Sequence, residues 1–439
     1  MSRPSRVSVA ILSWNGRQHL ETCLAALDAQ HDPGVPWEVL VLDNGSTDGT
    51  AAWMESEFAR HPRVRLVASP VNLGFCAGNN RLAAEARGDA VALLNNDTRP
   101  QPGWLAALVD ALAGAPEDVA AVSGKIVDWS GERLDFGRGV MTFDGHAFQL
   151  DFRRPLAQAR VPAAGEELLF ACGGNMLVRR ASFLAAGGFD EDYFAYLEDV
   201  DLGWRLWSGG ERVTFAPEAV VHHRSSATSD LLGSYNRGFL FERNAFLTAF
   251  KNYEPGLWER VMPGLMLTLV SRTQTMLVEN NPGTGTLRVD PYAGWIANTA
   301  ALPPAAPATP SIAPLTLGRI AGKLREHGPR EFVRRGLRKL RAPAPAVPEL
   351  PSLSDERTIS QLRAVQWVLG HLDRAADRRA SVQRRRRRSD LKIFERFPLY
   401  LVPTYPGDEA LFASPGFQAW LPEDLPLVRR RLEEIMEMG

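Results

Sequence analysis

Residues 39–50 read VLVLDNGSTDGT, an apolar run that ends on Asp43 and passes into turn chemistry. Four consecutive β-branched or leucine residues predict a strand buried on both faces. Asn44-Gly45 and Asp48-Gly49 are turn dipeptides, and Asp48 stands near the start of the helical pattern DGTAAWMESEFARH. Asp43 is thus a strand-end acid. VALLNNDTRP (residues 91–100) repeats the arrangement with Asp97, and YLEDVDLGWR (residues 196–205) adds Glu198-Asp199. Acids gathered along one rim of a sheet make a place for a cation, and a cation there can hold a diphosphate.

Outward from these stretches, strands and helices alternate over the first 250 residues. VSVAILSW, WEVLVLDN, RVRLVAS and DAVALLNND are apolar runs, separated by helical patterns such as GRQHLETCLAALDAQ, with Leu20, Leu24 and Leu27 at helical spacing. This predicts an α/β fold with a mostly parallel sheet covered by helices on both faces. In such sheets ligands sit outside the carboxyl ends of the strands, where Asp43 and Asp97 fall.

We read residues 1–250 as a catalytic domain and 251–301 as an amphipathic helical segment. Pro/Ala-rich linkers at 302–314 and 342–351 flank a basic helix at 315–341, and 352–439 is a basic helical C-terminal region. A long helix is expected from Asp355 to Arg388, ending in five arginines. On this reading everything after Pro314 is dispensable for the catalytic fold.

Composition is ordinary for a folded chain: 439 residues, 45% hydrophobic and 23% charged. Three scattered cysteines, Cys23, Cys76 and Cys172, exclude a disulfide framework or zinc cluster and fit a reducing compartment. The first residues enter a strand without a hydrophobic signal core. The longest uncharged apolar stretch near the middle, Val261 to Ser271, is too short for a bilayer span. The chain is expected to be cytoplasmic and soluble or peripheral. The net charge of −1 conceals 21 Lys and Arg against 9 Asp and Glu between Arg319 and Arg396. That surplus suits an anionic partner such as a membrane surface. Nucleic acid is set aside, since no recognition module accompanies the arginines.

Each site candidate has a bland alternative. Asp43 can accept from an imide N–H of a pyrimidine base and Trp14 can stack on the base, or the one is a turn acid and the other core. Asp97 can ligate a divalent cation or be a loop acid. Glu198, Asp201 and Arg205 can form ordinary helix pairs, yet three acids within four residues beside aromatics suit a base for an acceptor hydroxyl. His222 or His223 can complete a metal site, and Arg224 can contact phosphate.

The segments VSVAILSWNG, EVLVLDNGSTDGT, NLGFCAGNNRLAAEARGDAVALLNNDTRPQPGWL, GGNMLVRRASFLAAGGFDEDYFAYLEDVDLGWRL and VVHHRSSAT together resemble glycosyltransferase family 2, inverting enzymes of the GT-A type, over roughly residues 5–230. NLGFCAGNN and EDVDLGWR bring the likeness nearest to its rhamnosyltransferase-like branch. The resemblance implies a nucleoside-diphosphate sugar donor, dTDP-rhamnose or a UDP-sugar. It implies Mn²⁺ or Mg²⁺ as cofactor and a glycan or polyprenyl-diphosphate-linked acceptor in bacterial polysaccharide assembly, at the inner face of the cytoplasmic membrane. It assigns Trp14, Asn15, Asp43, Ser46, Asp48, Asn80, Arg81 and Asn96 to the nucleotide, and Asp97 with His223 to the metal. Asp199, with Glu198 beside it, becomes the base. Gly173, Gly174, Asn175, Asp201 and Arg205 go to the acceptor and donor-sugar pocket. Asn95 stands where the family's Asp-x-Asp motif has its first acid. Two rivals are a nucleotidyltransferase, which wants a Gly-rich basic loop that SWNGRQH lacks, and a non-catalytic sugar-binding scaffold.

Overall fold

A computed structural model describes residues 3–224, 233–280, 356–405 and 407–436. Strands β1 (Val7–Ser13), β2 (Trp37–Asn44), β3 (Val64–Ser69) and β4 (Ala90–Asn95) lie parallel in the order β4-β1-β2-β3. Parallel pairing requires crossovers, and helices α1 (Arg17–Asp28), α2 (Thr50–Phe58) and α3 (Gly74–Glu85) supply them. Leu20, Leu24 and Leu27 are buried, as their spacing demands. Ser13 pairs with Asp43 and Leu12 with Asn95, so the three central strands end level at one rim.

Beyond β4 the sheet turns mixed and reaches ten strands among the described residues. Strand β6 (Val119–Asp128) runs parallel to β12 (Arg212–His223), while β11 (Asn175–Arg179) is antiparallel to both β4 and β6 and lies between them. Short strands β5 (Thr98–Pro100) and β10 (Glu167–Leu168) attach to β12, and β7 (Leu134–Phe136) to β6. Strands β8 (Gly139–Met141) and β9 (Ala147–Gln149) form a separate hairpin. Helices α4 (Trp104–Gly114) and α5 (Arg180–Ala186) pack on this half of the sheet. The pairing His223↔Thr98 brings the end of β12 beside the Asn96-Asp97 turn. Strand β12 is a single strand with a register shift between Ala216 and Val220.

The C-terminal region is mainly helical and is not an appendage. The linkers at 302–314 and 342–351 and the basic helix at 315–341 lie outside the described residues. Helices α7 (Gly233–Asn252) and α8 (Pro255–Asn280) are followed by helices Glu356–Gly370 and Leu372–Arg385. The long helix expected from Asp355 therefore breaks at His371, and Asp355 itself lies outside the described residues. Ile393, Phe394, Leu399, Leu401, Phe412 and Phe417 are buried in the same core as the sheet. Trp204 Nε1 donates to Asp390 at 2.9 Å, and the Trp204 ring meets Phe394 edge-on. Buried Arg272 pairs with both Asp408 and Asp144, while Tyr405 bonds Glu242, which in turn faces His146. Against the expectation that residues beyond Pro314 can be removed, they supply part of the apolar core and two members of a buried ion network, Tyr405 and Asp408.

Two of the five arginines are engaged within the protein. Arg388 donates to the carbonyls of Trp207, Gly210 and Glu211, and Arg386 to that of Asn252 and to Asp390. These carbonyls close the C-terminal ends of two helices, where cations are favoured. Arg384, Arg385 and Arg387 remain exposed. Among the described residues no helix is long and apolar enough to cross a membrane.

Candidate active site

A constrained turn delivers the two central carboxylates. Phe194, Tyr196 and Leu197 have φ of 63°, 71° and 63°, a region that non-glycine residues enter only when their surroundings impose it. The cause is Asn244 on α7, 0% exposed, whose amide lies 2.7–3.1 Å from the carbonyls of Tyr193, Ala195 and Tyr196. Arg243 adds a bond to Tyr193 O at 2.7 Å. Helix α6 (Glu198–Ser208) then begins on Glu198 itself.

Asp199 accepts from the backbone N–H groups of Gly173 (3.1 Å) and Val200 (2.8 Å). Burial raises its pKa to about 6, against the pull of those N–H groups. Glu198 is raised well above the ordinary carboxylate range, first by burial and then by the neighbouring charge of Asp199. Its Oε2 has no partner among the described residues. Two adjacent carboxyl groups are thus pushed apart in proton affinity, which separates an ionised acceptor from a neutral one. Both line a cavity of about 580 Å³ together with Trp14, Asn96, Asp97, Gly173, Gly174 and His223.

Of the two histidines, His223 faces this cavity. Its Nε2 lies 3.3 Å from Asp97 Oδ1, and its Nδ1 2.7 Å from Asp135 Oδ2. Burial would lower its pKa, but the hydrogen bonds to Asp135 and Asp97 outweigh that and raise it to about 10. His222 turns toward Gln101 and the carbonyl of Trp129 instead. Arg224 stacks on Trp129, its guanidinium 3.9 Å from the ring centre, and its N–H bonds Asp97 O. Asp135, on β7, is a site residue that sequence reasoning missed.

The donor set suits a divalent cation: a carboxylate oxygen, an imidazole nitrogen, and a second carboxylate that fixes the imidazole from behind. Among the described residues no group of three or more His, Cys, Asp or Glu is arranged to hold a metal. Asp97 and His223 would therefore leave most positions to ligand oxygens.

At the other end, Asp43 is 3% exposed and is not part of the cavity lining, its Oδ1 without a partner among the described residues. Burial raises its pKa against hydrogen bonds from Ser46. Asn15 N–H donates to Ser46 Oγ and Asn15 Oδ1 accepts from Thr47 N–H, while Asp48 accepts from the N–H groups of Thr50 and Arg17. These residues shape the loops at the carboxyl ends of β1 and β2 without lining the cavity.

Five of the assigned side chains are held in structural contacts. Asn80 pins the backbone of Phe189 through both amide atoms, and Arg81 pairs with Glu85. Asn175 is wholly buried and bridges Trp104 Nε1 to the carbonyls of Lys125 and Ala219. Asp201 and Arg205 pair with each other inside the protein, and Asp201 also meets Lys251 and Asn252. All five side chains are committed to structure, and none lines the cavity.

Residues 8–185 match the model of glycosyl transferase family 2. An N-acetylglucosaminyl-diphospho-decaprenol L-rhamnosyltransferase of Mycobacterium tuberculosis is 35% identical over 241 residues, 50% of this chain and 76% of that one. The chain belongs to glycosyl transferase family 2. Glycosyltransferase AglE of Haloferax volcanii is 30% identical over 233 residues, 52% of this chain and 69% of that one. A solved GalNAc-T7 with UDP, GalNAc and Mn²⁺ aligns with a TM-score of 0.48 at 14% identity, covering 60% of this chain and 51% of that one. The protein is thus a glycosyltransferase of the rhamnosyltransferase-like branch, with an α/β sheet and a mainly helical C-terminal region among the described residues.

Proposed function

We propose that this glycosyltransferase moves rhamnose, with inversion, from a nucleoside-diphosphate donor (dTDP-rhamnose, with UDP-sugars as the alternative) to a hydroxyl of a lipid-diphosphate-linked glycan. The observation that carries the reading is Asp199, a half-buried carboxylate oriented by two backbone N–H groups at the cavity that also holds Asp97 and His223. Asp199 takes the proton of the acceptor hydroxyl. The acceptor oxygen forms its bond to the anomeric carbon as the bond to the diphosphate breaks, and the nucleoside diphosphate leaves with the electron pair. One displacement inverts the centre and needs no nucleophilic residue. Glu198, kept neutral, can donate a hydrogen bond to a sugar oxygen. Asp97 and His223 would hold Mn²⁺ or Mg²⁺, which when bound neutralises charge developing on the diphosphate. Asp43, with its unpartnered buried oxygen, is suited to accept from the base.

The likeness to the mycobacterial enzyme supports N-acetylglucosamine on a prenyl diphosphate as acceptor. The exposed arginines Arg384, Arg385 and Arg387 support attraction to an anionic membrane surface. Radiolabelled transfer from dTDP-rhamnose and UDP-sugars to farnesyl-diphosphate-linked N-acetylglucosamine, with and without metal, tests the reading. No transfer and no donor hydrolysis under any condition would leave a sugar-binding scaffold.

The metal residues give a graded expectation. Asp97→Ala abolishes Mn²⁺-dependent binding of dTDP or UDP, measured by isothermal titration. Asp135→Asn, which removes only the carboxylate behind His223, weakens it by about 10–100-fold. Wild-type affinity in both variants would remove Asp97 and Asp135 from the site.

The pH profile is set by Asp199. A base with its pKa raised to about 6 is protonated and inactive below that value and ionised above it. The acid limb of kcat/KM should therefore rise through pH about 6, and a limb near the ordinary aspartate range would contradict the burial described here.

A further inference from the structure

Leu12, Trp14, Asn44, Asn72 and Asn96 line the cavity from the ends of the first strands and their loops, and they are largely polar or amphipathic. The lining from beyond residue 140 holds an apolar group, Phe148, Phe152, Phe170, Phe241 and Met436, beside the polar Gln149, Glu198, Asp199 and His223. Met436 stands some 250 residues past the end of the family match at residue 185.

That methionine is held in place by a specific backbone seam. Phe152 bridges Met436 in parallel register, Asp151 N–H donates to Ile435 O at 2.6 Å, and Arg154 Nη2 reaches the carbonyls of Glu433 and Glu434. Ile435 and Asp151 are 0% and 1% exposed. Asp151 and Arg153 hold φ of 58° and 64°, so the loop opposite the seam is itself in a conformation its surroundings must impose. Asp151 is fixed by Arg154 at 3.0 Å and by Arg160 through three bonds. The neighbouring β8-β9 hairpin presents Phe148. It lies so close to α7 that a Cβ on Gly145 would sit 2.0 Å from Ala245 O.

We infer that the C-terminal segment Leu432–Met436 is a specificity-determining part of the acceptor site, forming with Phe152 and Phe148 the apolar wall against which the acceptor sugar packs beside Asp199. This rests on the functional reading above and names the side of the cavity that the second substrate takes. The polar strand ends match a charged nucleotide. The apolar wall matches the CH-rich face of a sugar ring, and Asp199 and Glu198 supply the polar groups that orient it. The seam fixes the wall rigidly, which lowers the ordering cost of binding.

Full-length Met436→Asp, Met436→Ala and Met436→Leu test this. The readouts are KM for farnesyl-diphosphate-linked N-acetylglucosamine, the dissociation constant of dTDP with Mn²⁺, and the thermal midpoint. A charge on the wall should raise acceptor KM by about tenfold or more, and the Ala variant by less. The Leu variant should restore it, while dTDP affinity moves by less than about twofold in all three. An unchanged KM in Met436→Asp overturns the proposal. So does a loss of dTDP affinity matching the rise in KM, which would put the wall on the donor side, and so does a rise in KM explained by a fall in the thermal midpoint that Met436→Leu shares. If the wild-type protein transfers nothing to this acceptor, the functional reading fails and takes the proposal with it. If the wild type transfers and Met436→Asp is indifferent, only the wall fails.

Discussion

Asp199→Asn will lower turnover by about 10²–10⁴-fold, the usual contribution of a positioned general base, with donor affinity nearly unchanged. The substitution keeps the shape but leaves one oxygen where Gly173 N–H bonds Oδ2 and Val200 N–H bonds Oδ1. It removes the ability to take a proton and one of these two bonds. Single-turnover transfer separates this from a binding defect, and dTDP titration checks the fold of the site. Turnover within a factor of a few of wild type would move the base to Glu198. Asp201, the other acid of the cluster, is no longer a contender, since it is wholly buried against Arg205, Lys251 and Asn252. The acid limb of the wild-type profile should vanish in the variant, because the group that titrates it is gone.

A chain ending at Pro314 will fail to reach the native state. Its loss uncovers core that Phe394, Leu399, Leu401, Phe412 and Phe417 now close. Burying one such side chain is worth about 1.5–3 kcal/mol, and whole domains have only about 5–15 kcal/mol of net stability. The deletion also strips Asp408 from buried Arg272 and Asp390 from Trp204 Nε1. Breaking a buried ion pair by removing one partner costs about 3–5 kcal/mol. Circular dichroism and denaturant titration should find no cooperative transition, or one far below that of the full chain. A truncated protein with wild-type unfolding would mean that the core closes without these residues.

Much of the fold is legible in the sequence because apolar runs and turn dipeptides announce buried parallel strands, and Asp97 and His223 are legible because each closes such a strand. Sequence reasoning goes too far where local chemistry has a structural use. Asp201 and Arg205 are an i,i+4 pair turned inward, and Asn80 and Asn175 bond carbonyls that no periodicity reveals. It falls short where a contact spans many residues. Asp135 meets His223 across 88 positions in an irregular stretch with no motif of its own. Asn244 sits amid FLFERNAFLTAF, where the polar run Glu242-Arg243-Asn244 inside an apolar helix is the available signal. The tail looks detachable because proline-rich linkers precede it, yet the composition of a linker carries no information on whether the segment beyond it docks.

The clamp of Asn244 on the turn before Glu198 has a consequence for hybrid enzymes. Three left-handed residues cost of order 1–3 kcal/mol each unless something outside the turn imposes them, and that something lies past the last sheet strand. A recombination point placed between β12 and α7 would look natural, since the sheet is complete there. It would pair one parent's catalytic turn with another parent's helix. Productive crossovers should instead keep residues 193–252 as a single heritable block, and loops around it can diverge freely while the block cannot.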